Sequence, residues 1–408
     1  MLASAGFRLF ANPRAERAAP YGQNGRETIL SLAALGDAKR DIMSWPGYKP
    51  TPLRSLPNLA ARAGIGAILY KDESERFGIG SFKALGGAYA VFKLLREAIW
   101  EQRNIVASTL DLTSRRYADI TSRITVTCAT DGNHGRSVAW GAHSFGCRCV
   151  IYIPETVSEG RCQAIAAYGA EVKRVPGTYD DGIRRVAADA AAQGWVVVSD
   201  TSYEGYTDVP RDVMQGYSLM VDEALEPRSA APSHVFVQGG VGGLAAGVCS
   251  YLWERYGADR PCFVIVEPEK ADCFYRSAVA GRPTPAEGAL NTIMAGLACG
   301  EVSLLAWRVL DTGADACMTI DDAAAADCMR LLADGRFGDD PVVVGESGVA
   351  GLAGCILASG DADARARLDL RPDSRVLVFG TEGATDPEVY RTIVGRRPDE
   401  IIAERSIR

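Results

Sequence analysis

The sequence has little histidine, no excess of basic charge and no long apolar run. Three histidines (His134, His143, His234) stand among 408 residues, and the eleven cysteines contain no C-x-x-C pair and no Cys/His ligand spacing. A zinc centre is therefore not expected. Lys and Arg number 44 against 51 Asp and Glu, a net charge of −7. That balance excludes a nucleic-acid binder working through a basic face. No segment reaches the roughly 18 apolar residues a membrane helix needs. The opening MLASAGFRLFANPRAERAAP is too broken by Arg and Pro to read as a secretory leader. No repeat of about 20–50 residues recurs, which removes a solenoid. The expectation is a cytoplasmic protein with mostly reduced thiols, a small-molecule substrate, and neither nucleic acid nor membrane as partner.

What is present is strand–helix alternation. Residues 124–129, 149–153, 172–175, 195–199, 235–238, 262–267 and 375–379 read as strands. Residues 81–100, 134–145, 158–168, 179–192 and 244–256 read as helices. Several strands are continuously apolar, the mark of a sheet covered on both faces. The class is α/β with parallel sheets, and ligands belong at the carboxyl ends of the strands. Residues 101–123, 281–291 and 334–341 read as a surface excursion and two loops.

Three glycine-rich loops carry the chemistry. In GIGSFKALGG, Ser81 is a suitable N-cap and places Lys83 in the first helical turn, flanked by Gly78, Gly80, Gly86 and Gly87. Backbone N–H groups and the macrodipole disfavour a cation there, so a depressed pKa and a nucleophilic amine are expected. The bland alternative is a solvated lysine. In TCATDGNHG, Asp131 and Asn133 follow a buried strand and open a helix; they cap it or face a ligand, and His134 is the weakest candidate. In HVFVQGGVGG, residues Gly239, Gly240, Val241, Gly242 and Gly243 lie between strand and helix, an anion cradle suited to phosphate. No lysine followed by Ser or Thr completes a Walker loop. Gly240, Gly242 and Ala245 also fit G-x-G-x-x-A, with Glu267 placed like a ribose-binding acid, so a nicotinamide dehydrogenase is a rival. It leaves the other two loops without a role. Glu346 and Ser347 at a later helix start, and Thr381 and Glu382 after the last strong strand, are caps or site residues.

Taken in order, these segments resemble the fold-type II pyridoxal-phosphate (PLP) enzymes, and more narrowly the diaminopropionate ammonia-lyase family. SFKALGGAYA, ATDGNHGRSVAWGA, SDTSYEGY, MAGLACGE, GESG and GTEGATDP carry the likeness, which runs from Tyr70 to Pro387. The aspartate before GNHG and the DTSYEGY segment discriminate this family from ordinary dehydratases. The resemblance implies pyridoxal 5′-phosphate in an interdomain cleft, with Lys83 as internal aldimine and later general base. It implies Asn133 on the cofactor's phenolic oxygen, residues 239–243 on its phosphate and Thr381 at the pyridine nitrogen. Asp131 and Asp200 would serve a cationic diamine substrate, one of them as base for the D-isomer. The implied domains are residues 1–88 with 209–408, and an inserted 89–208, in a homodimer. The implied reaction is α,β-elimination of 2,3-diaminopropionate to pyruvate and two ammonia. A serine/threonine dehydratase-like activity on the same scaffold is the alternative. Gln238 departs from many relatives, and pairing of Cys273 with Cys299 stays open.

Overall fold

Runs of Val, Ile and Phe build strands with helices over both faces. The computed structural model describes residues 2, 6–23, 28–130, 132–177, 179–225 and 230–407. Its strands are β1 (Phe7–Ala11), β2 (Leu53–Ser55), β3 (Ala67–Asp72), β4 (Thr125–Ala129), β5 (Arg148–Pro154), β6 (Glu171–Val175), β7 (Val196–Val197), β8 (His234–Gln238), β9 (Cys262–Pro268), β10 (Ala316–Ile320) and β11 (Arg375–Gly380). Among the described residues they form a seven-stranded sheet, β1-β10-β9-β8-β11-β3-β2, and a four-stranded sheet, β6-β5-β4-β7. The smaller sheet is parallel throughout. The larger is parallel except at its edges, where β1 opposes β10 and β2 opposes β3. Residues of β4, β8 and β10 are buried along their whole length, as expected for strands covered on both faces.

Four strands escape the sequence pattern. β2 has three residues and β1 is an edge strand with half-buried side chains. β3 carries Lys71 and Asp72, and β10 (ACMTI) has few β-branched residues. The excursion at 101–123 is also more ordered than expected. Two short helices, Thr109–Thr113 and Ala118–Thr121, bury Leu112 and Ile120, and Ser108 with Asp111 forms a reciprocal capping box on the first.

The helix Ala84–Arg103 is the structural spine. It packs on helix Asn133–Phe145 so closely that a Cβ on Gly141 would sit 2.8 Å from the Ala88 Cα. On its other side Gly86 lies under the Tyr217 ring of helix Asp208–Ala224. The expected cap is corrected here: the helix starts at Ala84 with Lys83 at the N-cap position, and the buried Ser81 hydroxyl makes no hydrogen bond. Ser81 pairs instead with Glu382 in an isolated β-bridge. Below that loop, Glu223 accepts from Lys71 Nζ (2.6 Å) and Arg76 Nη2 (2.7 Å), all three side chains being nearly inaccessible. This buried ion cluster fixes the chain that leads from β3 into the spine helix.

Candidate active site

The carboxyl ends of β4, β8 and β11 converge on one cleft, where an α/β sheet places its ligand. Lys83, Asn133, residues 239–243, Thr381 and Asp200 all line it. Asp131 lies outside the described residues. Nine of the expected positions are thus drawn together from segments far apart in sequence.

The lysine does not behave as its helix position suggests. Lys83 Nζ donates to Asp200 Oδ2 at 2.6 Å. Burial alone would lower the Lys83 pKa, but the Asp200 carboxylate outweighs it and holds the ammonium above the ordinary lysine range. The expected depression is therefore reversed, because the deciding partner comes from a loop 117 residues away. Asp200 is in turn held below the usual carboxylate range: burial opposes the charge, while the charge and hydrogen bond of Lys83 favour it, as a protonated His134 would. Tyr217 closes the far side of Lys83, whose Nζ lies 5.7 Å from the ring centroid.

The glycine loop has the geometry of an anion cradle. Gly240 and Gly242 adopt φ of 62° and 96°, where side chains are strained. Gly239 and Gly242 use their own amides to hold the loop, bonding Val266 O and Gly239 O. The amides of Gly240, Val241 and Gly243 at the start of helix Gly243–Tyr256 are left for a ligand. Gln238 anchors the loop by donating to Gly348 O and Phe379 O, both at 2.7 Å, so β8 and β11 are tied at the cleft floor.

The nicotinamide rival fails on Glu267. Its carboxylate accepts from the amides of Phe274 (3.0 Å) and Tyr275 (2.8 Å), so it caps helix Cys273–Ala280 from a fully buried position. A group engaged in this way is not open to a ribose hydroxyl. Burial pushes its pKa up to about 8. Cys273, on the same helix, directs its thiol to Glu267 and the Gly240 carbonyl, and Cys299 lines the cleft.

The opposite wall is acidic. Asn133 donates its side-chain amide to Glu382 Oε2, and Glu382 Oε1 accepts from the Ser347 amide at 3.0 Å. Neither Glu346 nor Ser347 caps the following helix, which begins at Ala350 behind Val349. Ser347 Oγ accepts from Gly296 N at 2.8 Å. Glu346 accepts from Arg161 at 2.6 Å across the cleft, while Ser158 donates to Asp386 at 2.6 Å. Burial and the Glu382 charge raise Glu346 well above the usual carboxylate range. Arg161, Tyr217 and Gly296 belong to the site and escape the sequence reading; only MAGLACGE, quoted for its likeness, pointed toward the last.

A primary amine facing a backbone anion cradle, with the buried Thr381 hydroxyl beside them, suits a phosphorylated pyridine aldehyde. Residues 44–382 match the family of pyridoxal-phosphate dependent enzymes, and the chain belongs to that family. Its cofactor is pyridoxal 5′-phosphate. Within the family it stands with the diaminopropionate ammonia-lyases. It is 43% identical over 356 residues to diaminopropionate ammonia-lyase of Escherichia coli K12, covering 85% of this chain and 88% of that protein. Identity to the Salmonella typhimurium enzyme is 37% over 388 residues, covering 92% and 95%. The crystal structure of the Escherichia coli enzyme in complex with an aminoacrylate-PLP azomethine reaction intermediate superposes with a TM-score of 0.86 at 38% identity, covering 97% of this chain and 98% of that one. Its complex with D-serine gives a TM-score of 0.88 at 37% identity over the same coverage.

Proposed function

We propose that this chain catalyses α,β-elimination of 2,3-diaminopropionate, yielding pyruvate and two ammonia. The observation that carries the proposal is the Lys83–Asp200 pair at 2.6 Å, set in a cleft whose other wall is the glycine cradle. When bound, pyridoxal 5′-phosphate supplies an electron sink for the substrate α-carbon. Lys83 would be the attachment point for its aldehyde, and its free amine would take the substrate α-proton as general base. Asn133 would meet the phenolic oxygen, the amides of Gly240, Val241 and Gly243 would hold the phosphate, and the Thr381 hydroxyl would meet the pyridine nitrogen. Asp200 stabilises the ammonium that Lys83 becomes on taking that proton and attracts the substrate's β-ammonium; its carboxylate is already ionised against burial. Asp131 is the proposed base for the opposite isomer.

The proposed organisation has residues 1–88 and 209–408 in one domain and 89–208 in the other. In support, β4 to β7 all fall between residues 125 and 197 and form the separate four-stranded sheet. The proposed assembly is a cytoplasmic homodimer. Trp100, Val106 and Leu110, exposed by 49%, 63% and 74%, offer a surface that a second copy would cover. A solution mass of about twice 43.5 kDa tests it.

Release of pyruvate and ammonia from diaminopropionate, set against serine and threonine, tests the reaction. Faster turnover of either hydroxy amino acid would replace this reading with a dehydratase.

A further inference from the structure

His134 has no part in the chemistry above, yet it is buried at the centre of the site. Its Nε2 lies 2.8 Å from the Val198 carbonyl, an acceptor only, so that nitrogen carries the proton and donates. The other nitrogen, Nδ1, is buried without a hydrogen bond and faces Asp200 Oδ2 at 3.8 Å. In the neutral ring, Nδ1 presents a lone pair to a carboxylate. The arrangement is tolerated because Lys83 Nζ sits on that same oxygen, Oδ2, at 2.6 Å.

The lysine and histidine therefore compete for one carboxylate oxygen. Burial lowers the His134 pKa first, Asp200 raises it, and the Lys83 cation lowers it again. Cys128 on β4 and Tyr206 also adjoin Asp200, and burial keeps both protonated. Before substrate enters, Lys83 and His134 are the described side chains beside Asp200 that can carry positive charge.

We propose that His134 is a positioning residue acting through Asp200: it takes up a proton at Nδ1 when Lys83 is withdrawn into its bond with the cofactor. The inference rests on the role given to Lys83 above. Condensation of the ammonium with an aldehyde forms a C=N bond, releases water, and yields either a protonated imine or an imine and a free proton. Where the neutral imine forms, Asp200 Oδ2 loses its cation and is left as a buried charge facing a lone pair, a strongly unfavourable state that the released proton can relieve. A proton on Nδ1 turns that 3.8 Å contact into an ion pair, which a small approach of the two side chains converts to a charge-assisted hydrogen bond. When substrate later frees Lys83, the proton can leave again, so the charge around Asp200 stays constant through the cycle.

The test counts protons. Enzyme stripped of cofactor and reloaded with pyridoxal 5′-phosphate is followed by calorimetry at pH about 7 in two buffers of different ionisation enthalpy. Wild type is expected to take up about one proton more on loading than His134→Gln, whose amide still donates to Val198 O but cannot titrate. His134→Asn, which places a fixed donor near Nδ1, should show the same loss of proton uptake while turnover recovers relative to His134→Gln. It also serves if His134→Gln does not fold. Equal proton counts in wild type and both variants would overturn the proposal. Borohydride reduction and peptide mapping separate the two claims: a label away from Lys83 removes the reading of the site. A label on Lys83 with unchanged proton counts removes only the role of His134.

Discussion

Lys83 and Asp200 meet at 2.6 Å although they hang from different sheets. The lysine follows β3 of the seven-stranded sheet, and the aspartate follows β7 of the four-stranded one. The contact fixes the charge state of both groups, and it exists only where the two sheets face each other. Lys83→Ala should leave a folded protein without a borohydride-reducible visible band. A reducible band in that variant would place the cofactor linkage on another residue.

Asp200→Asn should change how the lysine titrates. Without the carboxylate, burial dominates and the Lys83 pKa falls, so the free amine becomes available at lower pH. The pH limb for cofactor capture should move toward acid by roughly one unit or more. Diaminopropionate turnover should fall by about one to two orders of magnitude. Stopped-flow loading across pH measures the first, and an unmoved limb would remove Asp200 as the controlling partner. Asp131→Asn should slow one isomer of the substrate more than the other.

The cradle requires an anion. Pyridoxal, which lacks the phosphate, should bind at least about two orders of magnitude more weakly than pyridoxal 5′-phosphate. Inorganic phosphate should slow loading competitively. Equal affinities in equilibrium dialysis would take the phosphate away from residues 239–243. A ligand comparison is cleaner than a side chain at Gly242, whose Cβ would come within 2.3 Å of the Phe274 ring.

Glu223 binds two inaccessible cations, Lys71 and Arg76. Glu223→Gln leaves Glu73 as the one carboxylate facing both buried cations, and the expected loss is about 3–5 kcal/mol. A thermal midpoint within a degree or so of wild type would show that the cluster tolerates the missing charge.

Glu267 makes stability fall with rising pH. Its folded pKa of about 8 exceeds the ordinary 4.5, so the folded chain binds more protons between those values. Its contribution is fully present below the lower pKa and is lost as pH rises through the upper one. Glu267→Gln should flatten this slope and gain on wild type by up to a few kcal/mol above pH about 8. Parallel melting curves for the two proteins across that window would contradict the burial of an acid there.

Local pattern carried much of this, and distance limited it. The apolar runs marking β4, β8, β9 and β11 are buried on both faces and therefore legible. β1 and β2 at the sheet edges are short and half-exposed, and gave little signal. The glycines at 239–243 announce themselves because few structures need so many between strand and helix. The charge of Lys83 could not be read locally, since Asp200 decides it. Asn133 likewise finds Glu382 from 249 residues away, and Arg161 reaches Glu346 from 185. Nothing in a helix reading GRCQAIA distinguishes an arginine that will cross a cleft from one that meets water.

The position of β11 bears on how such a chain is made. It follows every other strand in sequence, yet it lies between β8 and β3 in the larger sheet. A chain emerging from the ribosome up to β10 has β8 and β3 both lacking their shared neighbour, each with a row of unpaired backbone groups. The four-stranded sheet, complete by β7, has no such wait. One half of the molecule can close during synthesis while the other stays open at its middle. The cleft, with Thr381 at the end of β11, can form only once that last strand slots in.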